Sequence, residues 1–310
     1  MEVLHRGFDN LDIAFQGQIS KEFFELLEEL KASAAETRSD AATRLNGITF
    51  QVAETGARGG YAFRCDTGPF GGIWFFKKPN SRDPWGIRVS LNSLPLAVHG
   101  LGWVRNMLYE TLAAFGIQTQ PDKMSIGRVD YAIDFLMPEF ELCADNFVMH
   151  ARCNRSTHDE ITEITENGHS GRVTSVTIGK NPGRQVIIYD KREEVMSKGK
   201  VEWKEIWNAN RARNGLPALD LTQAAASRVW RVELRAYKRH LKDLWHITTW
   251  ADLDAKLGDV LAKMIKDIRY AEPTGDTNRA RWPDSQLWQA VRLELDVNPS
   301  VNWGQRPGVK

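Results

Sequence analysis

Residues 174–191, Thr-Ser-Val-Thr-Ile-Gly-Lys-Asn-Pro-Gly-Arg-Gln-Val-Ile-Ile-Tyr-Asp-Lys, constrain the fold most, because two β-branched runs flank a single Asn-Pro-Gly break. Proline fixes φ and glycine accepts backbone angles closed to other residues, so Pro182-Gly183 reads as a turn between two antiparallel strands. A hairpin needs further strands and a covered face to be stable, so the chain must build a sheet around it. The second strand ends in Tyr189, with Asp190 and Lys191 after it. With Lys191 on the same strand face, this phenol is a candidate nucleophile.

Two more segments carry acids at strand spacing. Period 2 puts Arg128, Asp130, Ala132 and Asp134 on one face of 128–135 and Val129, Tyr131, Ile133 and Phe135 on the other. The same count groups Arg231, Glu233 and Arg235 opposite Trp230, Val232 and Leu234. Carboxylate oxygens suit a hard cation such as Mg2+ or Mn2+, which could stabilise charge on a phosphodiester, and Asp130, Asp134 and Glu233 are the candidate metal ligands. A phenol of pKa ~10 is protonated at neutral pH, so Lys191 or the metal would help form the phenolate. Each residue also has an ordinary structural reading. A strand-end tyrosine can be a packing residue, Arg-Glu-Arg alternation can be a salt-bridged sheet face, and Arg128 could neutralise both aspartates without a metal.

Elsewhere, Leu11–Phe15 alternates as a strand, and Ser20 is a candidate N-cap for a helix carrying Phe23, Phe24, Leu27 and Leu30. Residues 49–96 read as an antiparallel meander, and 99–115 as a helix with Trp103, Met107, Leu108, Leu112 and Phe115 on one stripe. Leu142–Cys153 is expected to be a helix and Asn154–Arg172 a loop. Helices are expected over Val201–Arg213, Tyr237–Trp245 and Trp250–Tyr270, followed by a terminal arm. The fold class is α+β, an antiparallel-rich central sheet with helices packed on one face. The expected division is a domain over 1–246 and a helical extension with its arm over 247–310.

Composition narrows the setting. A net charge of +1 means that any basic surface must be local. Cys65, Cys143 and Cys153 lack paired zinc spacing, and their odd number argues against a disulfide framework, which fits a reducing cytoplasm. No apolar run reaches the ~20 residues of a membrane span, and the start of the chain lacks a signal-peptide pattern. His150, His158 and His169 read as surface residues, and the eleven tryptophans mainly as packing residues. There is no His-hydrophobic-His pair.

Taken in order, these motifs resemble the Rep-trans family, the replication initiation factors of rolling-circle plasmids with related relaxases and filamentous-phage initiators. The resemblance rests on Arg128-Val-Asp-Tyr-Ala-Ile-Asp-Phe135, Thr177-Ile-Gly179 followed by Ile188-Tyr-Asp-Lys191, and Trp230-Arg-Val-Glu-Leu-Arg235. Weaker echoes lie at 11–15, 87–91 and 281–288, and Lys180-Asn-Pro182 departs from the pattern. The resemblance implies a fold like that of HUH endonucleases and a metal-dependent enzyme that nicks one DNA strand at an origin. Tyr189 would hold the 5′ end as a phosphotyrosine and release a 3′-OH primer, with Lys191 assisting and Arg128, Lys180, Arg184, Arg231 and Arg235 meeting DNA. Origin DNA with a single-stranded nick site, a host helicase and a second copy of the chain are the implied partners. The alternatives are a conjugative relaxase, a non-catalytic DNA-binding regulator of the same fold, and an unrelated α+β protein.

Overall fold

The structure is a computed structural model that describes residues 1–149, 163–169 and 171–296. In chain order the elements begin with β1 (Glu2–Phe15), α1 (Lys21–Thr37), β2 (Ala41–Leu45), β3 (Ile48–Val52), β4 (Tyr61–Asp66), β5 (Gly72–Lys77) and β6 (Ile87–Leu91). Next come α2 (Ser93–Ala114), β7 (Met124–Leu136), β8 (Phe147–Met149), β9 (Ile164–His169), β10 (Arg172–Gly179) and β11 (Arg184–Asp190). They are followed by α3 (Lys191–Lys198), α4 (Val201–Arg213), β12 (Val229–Tyr237), α5 (Trp250–Asp267), β13 (Ile268–Tyr270) and α6 (Gln286–Asp296). The described residues form two compact units: the first draws on 1–7, 130–246 and 253–296, and the second on 8–129 and 247–252. No helix among the described residues is long and apolar enough to cross a membrane.

In the second unit the expected meander is present, with β2 to β6 paired in sequence and β6 paired to β1. Alternation buries Phe50, Phe63, Trp74, Phe76, Val89 and Ile13 on one face. There α1 brings Phe23, which stacks on Phe115 at 5.0 Å and meets Phe50 and Phe76 edge-on. Ser20 caps α1 by accepting from the Phe23 amide, as its type and position predict. Helix α2 starts earlier than its apolar stripe suggests, and Gly100 interrupts it with φ 77°, a conformation that favours glycine. After it the buried stripe runs through Leu101, Val104, Leu108 and Leu112, which leaves Trp103, one position off that stripe, 43% exposed.

In the first unit the strand order is β1, β7, β12, β11, β10, β9. The hairpin forms in the expected register, with Ser175 opposite Tyr189 and Gly179 opposite Gln185. Helices cover both faces here, which corrects the one-face expectation for this unit. Trp203 and Trp207 of α4 lie on the side of Arg231, while Asp267 of α5 lies on the side of Arg184, and neighbouring strand residues point to opposite faces. Charged side chains on a strand read as solvent-facing, yet Asp130 and Asp134 are fully buried because guanidinium partners accompany them.

Several boundaries differ from the sequence reading. Instead of a helix from Leu142, a short turn at Ala144–Asn146 leads into β8, whose consecutive apolar residues pair with β13 and so end the predicted last helix at Asp267. Residues 164–169 pair with β10 instead of looping; all are exposed and, apart from Ile164 and Gly168, polar, so it is backbone hydrogen bonding that marks them as a strand. The remainder of those two predicted segments, 150–162 and 170, lies outside the described residues. β12 runs through Tyr237, and a π-helical turn over Arg239–Leu244 replaces the predicted helix start. The predicted arm contains α6, anchored by buried Trp288, whose Nε1 donates to the Ile265 carbonyl at 3.0 Å.

Candidate active site

The site lies within the first unit and is built where β11 ends. Asp190 accepts a hydrogen bond from the Glu193 amide at 2.9 Å, capping α3, and Arg172 fixes the same carboxylate at 2.9 Å. The strand therefore stops at Asp190, and Lys191 is the first residue of a helix. This corrects its expected place on the strand face, although its side chain still lies beside Tyr189. Side chains in a helix lean toward its N-terminus, and Lys191 Nζ comes within 3.5 Å of Tyr189 Oη, at the long end of hydrogen-bond range.

Glu194, three residues along α3, holds Lys191 Nζ at 2.6 Å and also receives Lys200 at 2.8 Å. Burial pushes the Glu194 carboxyl up, but Lys191 and Lys200 outweigh it and hold the group well below the usual carboxylate range. Trp203 packs between two cations, with Lys191 Nζ 4.7 Å and the Arg231 guanidinium 4.1 Å from its ring centre. His5 meets Trp203 edge-on at 5.2 Å. Arg231 stands directly opposite Tyr189 across the β11–β12 pair, and Glu233 stands opposite Ile187, so Tyr189, Arg231 and Glu233 share one sheet face.

The acids of β7 divide. Asp134 receives Arg231 Nε at 2.6 Å and Nη2 at 2.8 Å, and Trp207 Nε1 at 2.8 Å. Burial alone would raise its carboxyl, yet the charge and hydrogen bonds of Arg231 hold it below the usual range. Asp130 and Glu233 instead meet at Arg235, whose Nε lies 3.6 Å from Asp130 and 2.7 Å from Glu233. With Asp134 filled by its own partners and Arg235 at the other two acids, the three carboxylates do not form the oxygen cage expected for Mg2+ or Mn2+. Among the described residues no group of three or more His, Cys, Asp or Glu side chains could hold a metal ion.

The cations expected to meet DNA also divide. Lys180 is exposed in the hairpin turn, 3.4 Å from Glu163, and Arg235 is part-exposed. Arg128 is half-buried in the second unit. Arg231 and Arg184 are corrections, because both are fully buried. Arg231 serves Asp134, while Arg184 points to the opposite face and pairs with Asp267 at 2.8 Å. Beside that pair, burial and the Arg184 charge push the imidazole of His240 down to about 3.

This predicts a pH effect on stability. An unfolded histidine binds its proton near pH ~6.5, whereas the folded one resists it down to about 3, so stability is complete above ~6.5 and falls with pH through that window. The slope from this group is ~1.4 kcal/mol per pH unit. Urea unfolding at pH 7.5 and at ~5.5 should show the loss, and His240→Gln should remove that part of the slope.

The sequence singled out Tyr189, Lys191 and the acids as candidates but not Glu194, Trp203, Trp207 and His5, which pack around them. The Lys191–Glu194 spacing and the Trp203–Trp207 spacing, each one helical turn, were the available signals. No family model and no curated protein matches this chain. Among solved structures, the chain is similar to a rolling circle replication initiator protein from Geobacillus stearothermophilus, at 16% identity and a TM-score of 0.48, covering 95% of this chain and 97% of that one.

Proposed function

We propose that the chain is a site-specific DNA nicking and joining enzyme of the rolling-circle initiation type, with Tyr189 as its covalent nucleophile. The observation that carries this reading is the Tyr189 hydroxyl held 3.5 Å from the ammonium of a buried lysine, on a sheet face shared with Arg231 and Glu233. An adjacent cation favours the phenolate, and Glu194 fixes that cation in place. The phenolate oxygen bonds to the scissile phosphorus as the bond to the 3′ oxygen breaks. The phenol proton passes to solvent, and the departing 3′ oxygen takes up a proton to become a free hydroxyl. The product is a 5′-phosphotyrosine, and reversal of the same displacement rejoins the strand. Origin DNA as substrate and a helicase or second copy as partner belong to this proposal.

The test is covalent capture. A pool of 3′-labelled single-stranded oligonucleotides of varied sequence, incubated with the full chain, should yield a labelled band that resists detergent, and peptide mapping should place the nucleotide on Tyr189. Absence of any adduct across the pool, or an adduct on another residue, would overturn the assignment.

A further inference from the structure

The sheet of the second unit has a face that neither α1 nor α2 covers. Pairing places Tyr61 opposite Lys77, Arg64 opposite Phe75, and Phe75 opposite Arg88, so these five side chains share that face. All but Phe75 are part-exposed, whereas the alternating residues Phe63, Trp74, Phe76 and Val89 are buried beneath the helices. The Arg88 guanidinium lies 4.1 Å from the ring centre of Phe75 and 5.2 Å from that of Tyr61, and Lys77 Nζ lies 5.1 Å from Tyr61.

The cations differ in how they are satisfied. Lys77 pairs with Asp83 at 2.7 Å, and Arg64 stands 3.9 Å from Asp40. Arg88 forms no ion pair with any described residue, and its Nε is buried without a hydrogen-bond acceptor. Its cross-strand neighbour on β1 is Ala14, while Asp12 stands opposite Ser90. Two rings thus position a guanidinium that has no acid within ion-pair distance among the described residues. A guanidinium lying on a ring keeps its other plane for stacking and its N–H edge for an anion.

We propose that this face is a second nucleic-acid contact, a binding surface for single-stranded DNA centred on Arg88. An unpaired strand offers both things the arrangement can use, base faces and phosphates, whereas a duplex offers only phosphates to a flat sheet. The choice of DNA among nucleic acids rests on the nicking proposal; the chemistry of the face does not.

The experiment is fluorescence anisotropy of labelled oligothymidine with the full chain across a salt series, comparing the parent protein with Arg88→Ala. Loss of one phosphate contact should weaken binding about tenfold and reduce the slope of log affinity against log salt by about 0.7. Hydrogen exchange on the parent protein provides an arm independent of any variant: the oligonucleotide should protect β5 and β6. Unchanged affinity and slope in a folded Arg88→Ala protein, no protection of β5 and β6, or binding confined to duplex DNA would each overturn the inference. A Tyr189 adduct accompanied by Arg88-independent binding sinks this inference alone. Arg88-dependent binding without any adduct sinks the nicking proposal alone.

Discussion

Asp134→Ala should destabilise the protein by about 3–5 kcal/mol, because the fully buried guanidinium of Arg231 would lose the carboxylate that accepts two of its hydrogen bonds. The Trp207 indole would lose its acceptor as well. Removing one member of a buried pair leaves the other desolvated and uncompensated, which costs far more than the net contribution of the intact pair. The matching double change, Asp134→Leu with Arg231→Met, removes both charges and should recover most of the loss. Denaturant unfolding of the parent, the single and the double variants checks this; a single variant as stable as the parent would show that water reaches Arg231.

The pH dependence of the same pair has a definite sign. The folded carboxyl of Asp134 titrates lower than the unfolded one, so its stabilisation is complete above the unfolded value near ~4 and disappears as pH falls through the folded value. The His240 window opens higher, near ~6.5, so the two contributions separate on one titration.

What the sequence could convey follows from where its periodicity carried energy. The hairpin at 174–191, the meander and the Ser20 cap were legible, because alternation, turn chemistry and capping act locally and the fold agrees with them. β9 was not, since its exposed residues do not alternate between apolar and polar and its place comes from backbone pairing with β10. In the candidate site, parity grouped Arg231, Glu233 and Arg235 within their strand, but that Tyr189 shares their face follows only from the register of β11 against β12. It could not show that Asp134 turns to Arg231 and Trp207, or that Arg184 is buried with Asp267, because partners far apart in sequence decide both. The departure of Lys191 from the strand was legible in principle: Asp190 with Glu193 three residues on is a helix-start pattern, and it competed with a reading that continued the strand.

Tyr189→Phe should abolish the covalent DNA adduct and lower cleavage by on the order of 10^4-fold or more, as expected when a covalent nucleophile is removed outright. The ring is retained, and the Lys191 approach that goes with the hydroxyl is long at 3.5 Å, so the fold should lose about 1 kcal/mol. Oligonucleotide affinity should be close to that of the parent protein, which separates loss of chemistry from loss of binding. Lys191→Met probes the step in a different way. It removes the cation that favours the phenolate, so cleavage should persist at a lower rate and its rise with pH should shift upward toward the range of a free phenol, ~10. A structural lysine would change stability without moving that profile. Robust nicking by Tyr189→Phe would exclude the tyrosine whatever the lysine variant does, whereas an upward-shifted profile in Lys191→Met together with an inactive Tyr189→Phe would assign the pair its roles as positioning cation and nucleophile.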